Sequence, residues 1–316
     1  MSGIHAFYCI GQNVDGRDKL GHDNFDGLHL SDLIEKAPAK INLTLRVLGR
    51  REDGYHDLES LVAFAGFADR LELEPDAPAS LQISGPFASA CGQPSDNLVM
   101  AALAALERRF GPLKAGRFLL EKNIPVAAGL GGGSADAGAA LRLLARVNGI
   151  ALDDPRLASA ALETGADVPV CVDPQPRIMH GVGDVLSEPL VVPRLAAILA
   201  NPGVPLPTRA VFARFAGGSG KSADKFIKQV PGRHDALIAF LTERGNDLTQ
   251  AAIACSPAVT DVLMALRALP AVRLVRMAGS GPTCFALFAS QGEADAAAHR
   301  LQAERKDWWV RATPIG

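Results

Sequence analysis

The chain of 316 residues has no surplus of either charge: 32 Lys and Arg stand against 34 Asp and Glu, a formal net charge of −2. Nucleic-acid binders and membrane-surface proteins carry a basic excess, so neither class of partner is expected. Paired cysteines are also lacking. The five present (Cys9, Cys91, Cys171, Cys255 and Cys284) are scattered, odd in number and without a C-x-x-C spacing. That pattern predicts free thiols in a reducing cytoplasm rather than a disulfide or metal framework. His5, His22 and His29 have no metal-ligand spacing either. No apolar run is long enough to cross a bilayer, because Leu190 to Leu206 is broken by Pro193, Arg194, Asn201 and Pro202, where ~20 uninterrupted apolar residues are needed. The first residues lack the basic and apolar regions of a signal peptide, so none is expected.

What is present suffices for folding. Hydrophobic residues make up 48% of the chain, and at ~100–200 residues per domain the length predicts two packed units. Glycine (31) and proline (21) are over-represented against a usual combined share of roughly 12%. Residues 1–35 hold six acids against two bases and no sustained periodicity, which predicts a mobile extension over 1–34.

From Ala39 the pattern is definite. Ile41, Leu43, Leu45 and Val47 alternate with Lys40, Asn42, Thr44 and Arg46, the period of a half-buried strand whose polar face presents Lys40 and Asn42 together. A polar loop follows over Gly49 to His56, then strands at Leu58 to Phe64, Leu71 to Leu73 and Leu81 to Ile83. Helix is expected from Asp96 to about Phe110, strand at Arg117 to Glu121, and helix from Ser134 to Asn148, where Gly149 is a stop signal. Val168 to Val172 and Val182 to Leu186 read as strands, and Asp153-Asp154-Pro155 as a turn. Leu195 to Ala200 reads as another strand. Helices are expected near Arg209 to Phe215, His234 to Thr242, Asp247 to Ala254, Pro257 to Ala268 and Glu293 to Ala303. Strands are expected at Val272 to Met277, at Cys284 to Phe288 and at the end of the chain. Runs of strands followed by runs of helices predict an α+β fold.

The most informative segment is Pro125 to Asp136, in which Gly129, Gly131, Gly132, Gly133 and Ser134 run directly into a helix. Glycines allow close backbone approach, and a helix start offers unpaired N–H groups and partial positive charge, which together suit a phosphate. Asp136 would repel that phosphate unless it faces away or meets a cation. The segment is not a Walker-A loop, and the later Gly220-Lys221-Ser222 lacks the required first glycine, since Phe215 stands there. A dinucleotide fingerprint is rejected because the acids at the right distance, Asp153 and Asp154, lie in the expected turn. Asp167, at the mouth of an apolar strand, could accept a hydroxyl proton if a cation held it ionised. Met277 to Thr283 forms a second glycine-rich turn.

Pro38-Ala-Lys40-Ile-Asn42-Leu, Gly129-Leu130-Gly-Gly-Gly-Ser134-Ala-Asp136 and Met277-Ala-Gly-Ser-Gly281 together resemble, in order and approximate spacing, the three motifs of the GHMP kinases, over roughly residues 35 to 312. Gly49 to His56 and Gly165 to Pro169 resemble, more narrowly, the branch of that family whose substrate is a diphosphocytidyl-methylerythritol. The resemblance implies a two-domain fold, ribosomal-protein-S5-like over 35–190 and ferredoxin-like over 191–316, with the active site in the cleft between them. It implies ATP with Mg²⁺, and transfer of the γ-phosphoryl group to the substrate's 2-hydroxyl in non-mevalonate isoprenoid precursor synthesis. Asp167 and Lys40 are then the catalytic pair. Lys122, Pro125 and Gly129 to Ser134, including Leu130, hold the nucleotide. Asn42 meets the methylerythritol, Tyr55 and His56 the cytidine, Phe212 the other face of the cytosine, and Gly281 the substrate. The metal ligands stay open, and a monomer or weak homodimer is expected. A homoserine or mevalonate kinase, or a non-catalytic nucleotide-binding module of the same fold, is the alternative. Lys40, Arg50, Arg51 and Lys122 are expected to make the cleft cationic.

Overall fold

The computed structural model describes residues 29–75, 77–216 and 226–316. Most of the expected extension, with His5, His22 and Cys9, and the Gly220-Lys221-Ser222 segment lie outside the described residues. Strand β1 (Ile34–Asn42) and strand β2 (Arg46–Arg50) both pair antiparallel with β3 (His56–Glu74). The expected single strand from Ala39 is thus interrupted at Leu43–Leu45, where Leu45 bridges instead to Asn246. Its polar face is also not solvated: Lys40, Asn42 and Thr44 are buried along with Ile41 and Leu43.

Strand β3 runs unbroken for 19 residues, joining what reads in sequence as two strands. It is long enough to take different partners along its length. Its start pairs with β6 (Arg177–Gly181), its middle meets β11 (Trp309–Ile315) through Ala65 and Ile315, and its end pairs with β5 (Arg117–Glu121). Gly66 is required there, because a Cβ would lie 2.7 Å from Pro314 of β11. Strand β4 (Ser80–Ser84) adds in parallel to β5, and β7 (Val185–Leu186) pairs with β6. On the other side β11 pairs with β8 (Leu195–Asn201), β8 with β10 (Cys284–Phe288), and β10 with β9 (Leu274–Met277). Among the described residues, one sheet therefore runs through both halves of the chain.

Over the first half lie α1 (Leu98–Phe110), α2 (Gly132–Val147), α3 (Pro155–Thr164) and α4 (Val168–Val172). Helix α2 is buried on all sides from Ala135 to Ala145, as expected of a small-residue helix enclosed by β1, β3, α1, α3 and α4. The second half carries α5 (Thr208–Arg214), α6 (His234–Thr242), α7 (Thr249–Cys255), α8 (Ala258–Arg267) and α9 (Gln291–Glu304). A central apolar layer joins the halves, packing Ile41, Leu61 and Ile124 with Leu199, Phe285 and Leu287.

Two expectations fail in instructive ways. Val168–Val172 is a helical turn rather than a strand. Its β-branched run suggests extension, but Pro169 suits a first helical turn, and tertiary packing buries Val168, Val170 and Cys171 against α2. Asp154-Pro155 opens a helix instead of a turn: Asp154 caps it by accepting from the Arg156 N–H, and Pro155 takes the first helical position.

Candidate active site

A cleft of about 1200 Å³ opens between the halves, walled by β1, the 125–136 loop, the residues around Asp167, α5 and the Gly279 turn. The loop is held from two sides. The N–H of Lys40 donates to Leu130 O at 2.9 Å, at a register shift between Pro38 and Lys40 that frees this amide from the β1–β3 ladder. Behind it, Gly129 lies against the second glycine turn: a Cβ at Gly129 would stand 2.7 Å from both Ala278 O and Gly281 O, and one at Gly279 2.7 Å from Gly129 O. Gly129 has φ +74° and Gly131 φ +61°, both in the left-handed region. Gly131 caps α2 without a side chain, and the first intrahelical bond there is Ala135 N–H to Gly131 O at 2.8 Å. The amides of Gly132, Gly133 and Ser134 precede it at the positive end of the helix, and all three residues line the cleft. A bulky residue at Gly131 would press on Lys40, whose Cβ and Cε lie 3.2 and 3.3 Å from the Cβ position. The cradle thus fits a phosphate chain.

Beside the cradle, Lys40 Nζ lies 2.8 Å from Asp167 Oδ1, with the lysine almost fully buried and the carboxylate 37% exposed. The ammonium is held in this pair, and the half-exposed carboxylate lines the cleft. Asp167 sits one residue before α4, so the expected acid at the mouth of a strand is instead the N-cap of a helical turn.

Lys122 lines the cleft but its charge is consumed. Its Nζ pairs with the fully buried Asp69 and, at 2.6 Å, with Asp136 Oδ2. Asp136 therefore meets a cation, resolving the conflict posed by an acid near the cradle. Burial raises the Asp136 pKa and the Asp69 carboxylate raises it further, against the opposing pull of Lys122, to about 8. Burial pulls Lys122 down, but Asp136 and Asp69 more than reverse this and its pKa is raised. Asp136 Oδ1 has no hydrogen-bond partner. Asp69 also accepts from the backbone N–H groups of Asn123 and Ile124, shaping the entry to the loop. Sequence reading missed Asp69, which lies 53 positions from Lys122.

At the other end, Asn42 donates to Ser60 Oγ at 2.8 Å, leaving its own Oδ1 without a partner in the cleft wall. Tyr55 and His56 line the same space, Tyr55 with 61% of its surface exposed. Burial and then the positive charge of Arg50 lower the His56 pKa, so its ring is neutral at pH 7. The His56 and Phe212 rings are 5.1 Å apart and tilted by 31°. A base between them needs about 7 Å, two van der Waals layers, so the expected sandwich does not exist in this arrangement and the rings contact each other. Gly281 does not line the cleft; it stands behind Gly129. The cationic cleft is mostly neutralised: Lys40 and Lys122 are paired, and Arg51, which is not in the wall, pairs with Asp53, which is, and with Asp57. Arg50 is in the wall, as is Arg209 of α5, which sequence reading missed. No group of three or more His, Cys, Asp or Glu that could hold a metal occurs among the described residues.

A family model described as the GHMP kinases N-terminal domain matches residues 97–173, and one described as the GHMP kinases C-terminal matches residues 223–307. The chain belongs to the GHMP kinase family. Proteins named 4-diphosphocytidyl-2-C-methyl-D-erythritol kinase are its similar relatives: that of Xanthobacter autotrophicus is 52% identical over 88% of this chain and 97% of its own. That of Rhodopseudomonas palustris is 53% identical over 90% and 99%. A crystal structure of 4-(cytidine 5'-diphospho)-2C-methyl-D-erythritol kinase superposes with a TM-score of 0.69 at 35% identity, covering 90% of this chain and 99% of that one. The mevalonate kinase of L. major, at 13% identity and a TM-score of 0.64, shares the fold.

Proposed function

We propose that this protein transfers the γ-phosphoryl group of ATP to the 2-hydroxyl of 4-diphosphocytidyl-2-C-methyl-D-erythritol, a step in non-mevalonate isoprenoid precursor synthesis. The observation that carries the chemistry is the Lys40–Asp167 pair, 2.8 Å apart, beside the open N-terminus of α2 in one cleft. The relatives' shared name supports the substrate. The amides of Gly132, Gly133 and Ser134 receive phosphate oxygens. Asp167 accepts the hydroxyl proton as the oxygen attacks, and Lys40 holds the carboxylate ionised and screens charge on the moving group. Mg²⁺ bound to the nucleotide would neutralise charge on the phosphate oxygens; among the described residues no cluster of three or more His, Cys, Asp or Glu is present to hold it, so the phosphates and water would supply most of its ligands. Asn42, in the cleft wall, meets the methylerythritol. Tyr55 and His56 receive the cytidine, with Phe212 moving off His56 to admit the base.

A coupled ADP-release assay comparing the cytidylyl substrate with homoserine and mevalonate tests this reading. Turnover confined to the cytidylyl substrate is expected. Faster turnover of either alternative would overturn the substrate assignment, and none with any of the three would overturn the kinase reading.

A further inference from the structure

We infer that Arg142 is a positioning residue for the Lys40–Asp167 pair: its guanidinium fixes the strand that carries the lysine and the turn that carries the carboxylate onto the helix whose start forms the phosphate cradle. The inference rests on the reading of Lys40 and Asp167 as the reacting pair.

Arg142 lies on α2, ten residues past Gly132, and is 8% exposed. It is absent from the cleft wall, so it touches neither substrate. Its donors spread over two other elements, α4 and β1. Nη1 donates to Cys171 O at 2.7 Å and to Val172 O at 3.4 Å, Nη2 to Lys36 O at 2.7 Å, and Nε to Glu35 Oε2 at 2.8 Å.

Helix α4 is only five residues long. One turn does not sustain itself, so its place is set by what holds it. Asp167 stands at its N-cap position without a side-chain capping bond, and Cys171 and Val172 form its last positions, where unpaired carbonyls gather negative charge. Arg142 supplies cationic donors to those carbonyls. The helices also touch backbone to backbone, because a Cβ at Gly138 would lie 2.5 Å from Cys171 O. On the opposite side, Lys36 stands four residues before Lys40 on β1. The contacts form a closed circuit. Gly131 at the head of α2 abuts Lys40, Lys40 pairs with Asp167, Asp167 leads α4, and Arg142 ties α4 and β1 back to α2.

Lysine cannot replace this arrangement, since its three donors radiate from one atom, whereas a guanidinium serves partners in a plane from separate nitrogens. Small misplacements matter for phosphoryl transfer: displacing a reacting group by about 1 Å from a distant site can cost about a hundredfold.

The test compares full-length Arg142→Gln, Arg142→Lys and Asp167→Asn with the parent, measuring kcat, both KM values, the dissociation constant of ADP and the thermal midpoint. For Arg142→Gln the expected result is a fall in kcat of about tenfold or more with the KM values and ADP affinity within about threefold. Arg142→Lys is expected to lie between it and the parent. A kcat within about twofold of the parent, whatever the thermal midpoint, would overturn the inference. So would ADP affinity falling in step with kcat, which would mark collapse of the cradle. If Arg142→Gln fails to fold, Arg142→Lys is judged by the same criteria. Near-normal turnover by Asp167→Asn would instead sink the underlying reading, so the two failures are distinguishable.

Discussion

Replacing Asp136 by asparagine should change how stability depends on pH, and the sign follows from the buried cluster. The Asp136 pKa rises from 3.8 to about 8, chiefly through burial and then through opposition between the pull of Lys122 and the push of Asp69. Between those values the folded chain holds a proton on this carboxyl that the unfolded chain releases. Stability from this group is therefore fully present below pH 3.8 and is lost progressively as pH rises to about 8. The slope is at most about 1.4 kcal/mol per pH unit, so roughly four units give a ceiling of about 6 kcal/mol. Asparagine preserves the shape and an oxygen for Lys122, leaves Lys122 and Asp69 as a neutral pair, and removes the titration. The stability advantage of Asp136→Asn over the parent should widen from pH 5 to about 8 and then level off. Urea unfolding followed by far-UV circular dichroism at half-unit pH intervals reads this directly. A difference that stays constant or narrows with rising pH would refute the buried-proton argument.

Other perturbations separate the parts of the site. Asp167→Asn should lower kcat by about a hundredfold or more with little change in either KM, checked by steady-state kinetics on folded protein; near-normal turnover would remove the base assignment. His56→Ala should raise the KM for the cytidylyl substrate far more than that for ATP, and equal effects would defeat the cytidine-pocket reading. Gly129→Ala should lose about 1–2 kcal/mol from the left-handed backbone alone and more from the 2.7 Å approaches to Ala278 O and Gly281 O. ADP affinity should fall with it, and a calorimetric titration showing parent-like binding would contradict the proposed cradle.

Much of this architecture is legible in the linear chain because local rules govern it. Arg117–Glu121 is a strand and His234–Thr242 a helix as periodicity demands, and the glycine run before Ser134 does open a helix. The misreadings arise where long-range packing overrides local preference. Val168–Val172 is helical because α2 and Arg142 hold it so. The continuity of β3 depends on distant strands that never appear beside it in sequence. For α3 the signal was present, an Asp-Pro pair that caps and begins a helix as readily as it makes a turn. In the site, Lys40, Asp167 and the cradle converge as motif spacing suggests. The neutralisation of Lys122 was hidden because Asp69 looks like an ordinary strand residue until the chain folds. The contact between His56 and Phe212 likewise depends on the placement of α5, which no local pattern encodes.

The apolar layer that joins the two halves bears on how such enzymes can be diversified. Ile41 and Leu61 meet Phe285 and Leu287 in one shared interior, while β11 completes the sheet against β3. Neither half is an exchangeable module. A chimera joined near residue 190 would mate two interior surfaces with no history of fitting each other, and would forfeit side-chain complementarity worth several kcal/mol. New acceptor preference is more accessible by grafting the rim, through the 49–56 loop and helix α5, which border the cleft without contributing to that layer. Under the proposed reading, changes at that edge leave the Lys40–Asp167 pair and the 129–134 loop in place.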